Sequence, residues 1–186
     1  MKEEFPIQII GKAFLLRPDI PPEGRPRPRG DDKPTDNELR EPLRSSAIDA
    51  GLSKMKRSPF IPYSIPALEA TEYAKEQDRF MEFHRACYQA LWEKTQDIGK
   101  LDVIESIAGG CGLDWQELGE RLKSGYYREE VMRQYLEGRR NGFQGIPGFI
   151  IANARFTGAA PYEMFRVAAQ RAMVLVRPES PSHGKE

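Results

Sequence analysis

The sequence predicts an α/β fold in which a long helical insertion separates the strand-forming parts. Three observations predict it. Near the N-terminus, "PIQIIGKAFLL" (6–16) carries apolar residues on both faces, as a strand buried on both sides does. From Ser64, about eighty residues repeat their apolar positions at helical spacing. After Gly142 come two short β-patterned runs and a last amphipathic segment. At 186 residues, the chain suits one domain with an insertion.

The elements follow in order. "RPDIPPEGRPRPRGDDKPTD" from Arg17 is dense in proline, glycine and charge and forms no regular element. Its arginines alternate with acids, which suits a solvated loop better than a nucleic-acid arm. Thr35 and Glu38 have capping-box spacing for a short helix that Pro42 complicates and Gly51 ends. "KRSPFIPYSIP" is a second proline-punctuated link. Ser64 can cap a helix over 65–76, with Ala67, Leu68, Ala70 and Ala74 among its apolar positions. Asp78 can cap the next, whose stripe is Phe80, Phe83, Ala86, Cys87, Ala90 and Leu91. A third helix, over 100–111, turns Leu101, Ile104, Ile107, Ala108 and Cys111 inward and stops at Gly112. A fourth starts at Asp114 with Glu117 at the capping-box position and ends near Gly125. A fifth covers 127–141, stopped by Gly142. "FIIA" and "ARFTG" form a hairpin turning around Ala152-Asn153-Ala154. A last helix starts near Pro161, with Phe165, Ala168, Ala169, Ala172 and Met173 inward. This divides the chain into 1–62 with 142–176, an inserted helical subdomain 63–141, and a disordered tail 177–186.

Composition narrows the function classes. With 39% hydrophobic residues the chain can build a core, and with 28 basic and 28 acidic residues it has no bias toward nucleic acid or anionic membranes. No apolar run has the length of a membrane span, and "MKEEFPIQIIGK" lacks a signal-peptide pattern, so a cytoplasmic protein is expected. The two cysteines, Cys87 and Cys111, form no C-x-x-C and are too few for a structural zinc site, so no metal is expected. They read as small buried hydrophobes. His84 lies three residues before Cys87, but it reads as an ordinary helical histidine rather than half of a catalytic pair.

One stretch stands out. In Gly145-Ile146-Pro147-Gly148-Phe149-Ile150-Ile151, a proline abuts an apolar β-run. Proline has no N–H for a strand ladder, so it belongs at an edge or a first residue. Three segments together resemble the DsbA family of thioredoxin-fold proteins, and within it the branch of FrnE-like oxidoreductases and 2-hydroxychromene-2-carboxylate isomerases. "AFLLRPDIPPEGRP" resembles the family's second strand and following loop. "PFIPYSIPALEATEYAKEQDRFMEFHRACYQALWEKTQDIGKLDVIESIAGGCGLD" resembles its helical insertion. "GFQGIPGFIIANARFTGAAPYEMF" resembles its G-V-P-T-F segment, hairpin and "GAQP" helix start.

The resemblance implies a thioredoxin-like fold and thiol–disulfide chemistry. It implies that Ile146–Pro147 is cis and begins the third strand, and that Gly145, Ile146, Pro147 and Gly148 contact a thiol or disulfide substrate, peptide or small molecule. Gly148 stands where the family commonly has threonine or another small residue, which implies a less constrained loop. "MKEEFP" resembles the end of the family's first helix, so the first strand and its C-x-x-C are expected to be missing and no catalytic residue is assigned. The second strand is then expected to lack its partner, which favours a homodimer or strand exchange. The leading expectation is therefore a member of an oxidoreductase family that is not catalytically competent as this chain. The alternatives are a non-catalytic binding or dimerisation module and a glutathione-dependent isomerase or transferase. No cofactor is expected unless glutathione binds beside the proline.

Overall fold

A computed structural model describes residues 1–27 and 38–176. Thr35 of the expected capping box and the expected disordered tail lie outside those residues. Contacts divide the chain into two compact units: Ala13–Leu136, and Met1–Lys12 together with Glu137–Glu186. These bounds differ from the 62/63 and 141/142 divisions expected from sequence. The physical reason lies at Ala13. Its N–H donates to the Gln134 side chain at 2.6 Å, and Ala13 and Leu15 join Ile65 and Val131 in one apolar cluster. The segment after Lys12 is therefore tied to the helices.

The helical unit contains α1 (Leu43–Asp49), α2 (Ile65–Glu76), α3 (Phe80–Trp92), α4 (Leu101–Gly110) and α5 (Trp115–Ser124). A sixth helix, α6 (Arg128–Arg140), starts in this unit and ends in the other. Tyr73, Phe83, Ile104 and Leu118 are fully buried in its core, each from a different helix. Most of the apolar positions expected on α2 to α4 converge there, but Leu68 packs instead against the cluster of Ala13, Leu15, Ile65 and Val131. Leu101 is 41% exposed, because it sits at the very start of α4. α5 begins as expected: Asp114 Oδ1 accepts from the Glu117 N–H at 3.2 Å, and Gly125 closes the helix in the left-handed conformation at φ 68°.

Two expected caps are absent. Ser64 precedes α2, but its backbone is already helical and its side chain makes no capping bond, since a capping residue needs an extended backbone to reach back. Asp78 has φ 56° and serves the turn between α2 and α3. The Asp78 N–H donates to Lys75 and the Arg79 N–H to Ala74, so Arg79, not Asp78, precedes α3. The short helix foreseen before Gly51 begins only after Pro42, at Leu43. The two proline-rich links also meet: β1 (Arg25–Pro26) pairs antiparallel with β2 (Phe60–Ile61).

The second unit holds β3 (Gly148–Ile151), β4 (Ala154–Thr157) and α7 (Tyr162–Val176). β3 and β4 pair antiparallel from Gly148↔Thr157 to Ile151↔Ala154, so the turn is Ala152-Asn153, with Ala152 at φ 48°. On one face Phe149 and Phe156 stack at 5.4 Å, and Phe165 of α7 meets both edge-on at 4.8 Å. Ala168 and Ala169 of α7 are buried. Met173 was expected inward but is 44% exposed. Four-residue strands span about 13 Å while fifteen helical residues span about 22 Å, so α7 outruns the hairpin.

The run 6–16 does not form the expected strand. Ile9 and Ile10 are 52% and 70% exposed. Among the described residues each sheet has two strands, β1–β2 or β3–β4, and neither includes this run. A strand is held by a neighbour's N–H and C=O groups, and without one the apolar pattern does not become a ladder. The residues before it are anchored to α7. The Met1 amine donates to the Tyr162 hydroxyl at 2.8 Å, that hydroxyl donates to Glu4, and Arg166 Nε donates to Glu4 at 3.1 Å.

Candidate functional site

The site is built from the end of α6 and the start of β3. Three N–H groups close the helix: Asn141 donates to Glu137, Gly142 to Arg139 and Phe143 to Gly138. Gly142 turns the chain at φ 87°, a conformation that costs glycine little. Gln144 to Pro147 follow as a loop, and the Ile146–Pro147 peptide bond is cis.

The proline stands just outside the ladder, which starts at Gly148. Its missing N–H is not needed there, while its C=O accepts from the Gly158 N–H at 2.8 Å. That bond ties the loop to the residue after β4. Gly148 does not loosen the loop as expected. A Cβ there would lie 2.7 Å from Cδ1 of Phe143, so the glycine lets that ring rest on the backbone. The constraint is packing across the loop.

Gly142, Gln144, Gly145, Ile146, Thr157 and Gly158 line an open recess of about 440 Å³. The Ile146 side chain is 48% exposed at its rim. The N–H and C=O groups of Gly145 and Ile146 have no backbone partner among the described residues. β3, which follows directly, pairs on one edge only among those residues. The recess thus offers a free main-chain donor and acceptor, an apolar side chain and a polar wall from Gln144 and Thr157. Such a rim can hold an extended chain by main-chain pairing.

Of the four residues singled out in the sequence, Gly145 and Ile146 line the recess. Pro147 acts through its bond to Gly158, and Gly148 through Phe143. Sequence reasoning missed Gly142, Gln144, Thr157 and Gly158 as lining residues. The hairpin pairing carried a signal for Thr157, which lies directly across from Gly148.

No lining residue is acidic, basic or a thiol. The thiols belong to the helical unit. Burial, helped by the nearby Cys111, pushes Cys87 up to about 12, and burial with the Glu82 charge raises Cys111. His84 lies between the rings of Phe80 and Tyr88, at 5.4 and 4.7 Å, and burial lowers its pKa. Neither thiol has the lowered pKa of an activated nucleophile. Among the described residues, no group of three or more His, Cys, Asp or Glu is placed to hold a metal ion, and no helix is long and apolar enough to cross a membrane.

The family model of the DSBA-like thioredoxin domain matches residues 3–170. The chain belongs to the DSBA-like thioredoxin domain family. A curated relative, the protein YwbO of Bacillus subtilis (strain 168), is 30% identical over 109 residues, 58% of this chain and 54% of that protein. The chain therefore spans about half the length of the curated relative it matches. The crystal structure of a probable DsbA oxidoreductase from Streptomyces coelicolor matches with a TM-score of 0.64 and 23% identity, over 74% of this chain and 60% of that one. That similarity shows a shared fold. The family contributes the mixed helix-and-strand architecture, and the cis-proline loop lies inside the matched range.

Proposed function

We propose that this chain provides the substrate-binding loop of a DsbA-type thiol–disulfide protein. Gly145 and Ile146 pair through their main chain with an extended peptide or small thiol, while Pro147 and Gly148 hold the loop's shape. One observation carries the reading. Ile146, next to the cis-proline of a DsbA-family chain, has unpaired main-chain groups among the described residues and a half-exposed side chain beside an open recess. A ligand strand laid along this loop continues onto the edge of β3 that pairs with no strand among the described residues.

The proposed role is binding without turnover. No C-x-x-C occurs in the 186 residues, and the thiols present have raised pKa values. The test uses the chain with a fluorescent extended peptide carrying a disulfide. Anisotropy is expected to show saturable binding, and Ile146→Lys should weaken it about tenfold, since a buried charge replaces an apolar contact. Insulin reduction should stay at background. Equal binding by Ile146→Lys would remove the loop from the proposed site. Turnover that persists in a Cys87→Ser/Cys111→Ser variant would overturn the binding-only role.

A further inference from the structure

The lining of the recess is uncharged, but the chain around it is not. From 138 to 162 it carries three arginines, Arg139, Arg140 and Arg155, and no aspartate, glutamate or lysine, although the whole chain balances 28 bases against 28 acids. The acids that bound this stretch are engaged: Glu137 pairs with Lys12, and Glu163 and Glu4 pair with Arg166. Two of the arginines are placed at the recess. Arg139 Nη1 donates to the Phe143 C=O at 3.5 Å, and Phe143 lies between the lining residues Gly142 and Gln144. Arg155 lies across the hairpin from Ile150, and on the same face Gly148 lies across from Thr157, which lines the recess. That face, with Gly148, Ile150, Arg155 and Thr157, is exposed, whereas Phe149 and Phe156 turn toward Phe165.

Arg139 and Arg140 occupy the last turn of α6, where they balance the negative end of the helix. Arg155 lies within β4, and its guanidinium has no acid partner among the described residues. A ligand strand beside β3 lies two strand spacings from β4, about 10 Å. Arg155 and a ligand glutamate, reaching toward each other over Ile150, close that gap. We propose that the peptide this loop takes is acidic, and that Arg155 selects it by holding a carboxylate on the ligand residue beside Ile150. Two parallel N–H···O bonds from the guanidinium suit that partner. Arg139 adds positive charge at the other end of the loop. The proposal rests on the loop-binding reading above and names its substrate class: Ile146 supplies the apolar anchor and Arg155 the preference for charge.

The experiment measures anisotropy with the full chain and two labelled extended peptides that carry the same disulfide, one with glutamate at every polar position and one with glutamine. The glutamate peptide should bind about fivefold more tightly at low salt. Adding about 0.5 M salt should remove that margin. Arg155→Gln should bring the two affinities together, Arg155→Lys should keep part of the preference, and Arg155→Glu should reverse it in favour of a lysine peptide. A structural role for Arg155 would not produce that reversal. Circular dichroism checks that each variant folds, and the comparison of peptides on the unaltered chain decides the case if one does not. Equal affinities for the two peptides, or a preference that survives Arg155→Gln, overturn the selection while leaving the loop as a binding site. Binding of neither peptide, or a glutamine peptide indifferent to Ile146→Lys, overturns the loop reading and the selection with it.

Discussion

Gln134 hydrogen-bonds α6 to the N-terminal segment, and replacing it gives a sharp test. It is 4% exposed. Its Oε1 accepts from the Ala13 N–H at 2.6 Å, and its Nε2 donates to Glu72 at 2.9 Å and to Glu130 at 2.6 Å. Gln134→Leu keeps most of the volume and removes all three bonds. The buried Ala13 N–H loses its partner, which costs about 1–3 kcal/mol. Glu72, itself buried and bonded to Lys75 through its other oxygen, loses a charge-assisted bond that contributes about 1.5–3 kcal/mol. The added apolar burial returns roughly 1 kcal/mol. The net loss is about 2–5 kcal/mol, large against the roughly 5–15 kcal/mol of a whole domain. Urea unfolding followed by circular dichroism measures it, and amide exchange at Ala13 reports the local release. A loss under about 0.5 kcal/mol, or unchanged protection at Ala13, would refute this reasoning.

Gly148→Ala should cost about 1–3 kcal/mol by crowding the Phe143 ring, and Phe143→Ala should remove most of that increment in a double-mutant cycle of thermal unfolding. Asp114→Ala should cost about 1 kcal/mol through the lost α5 cap, read from denaturant midpoints. Tyr73 gives a pH dependence. Burial first, then its bond to Glu117, raises its pKa from 10.0 to about 12. Below pH 10 both folded and unfolded chains keep the proton and the stability is intact. As the pH rises through 10 toward 12 only the unfolded chain releases it, so stability falls. Tyr73→Phe should flatten that fall in a series of melts, and an equally steep fall in the variant would show that other groups cause it.

The helices were legible in the sequence because burial and periodicity agree there. Phe83, Cys87 and Ala90 repeat at helical steps and are buried, and Asp114, Gly125 and Gly142 act at the ends they were expected to mark. The hairpin was legible for a similar reason, since Phe149 and Phe156 alternate outward and inward with their neighbours. The run 6–16 misled because its apolar pattern states what it would bury, and pairing depends on a partner elsewhere. Asp78 misled because a cap and a left-handed turn favour the same short polar residues. In the site, Ile146 and Pro147 were recognisable from their motif. The contact of Phe143 with Gly148 was not, because it joins residues five apart through a loop that follows no period.

The most direct test of the central claim is residue-resolved amide exchange of the chain with and without an extended disulfide-bearing peptide. Pairing along the loop predicts that the Ile146 N–H and the free edge of β3 gain protection when the peptide binds, while the helical unit keeps its rates. Saturable binding with no change at Ile146 would contradict the account.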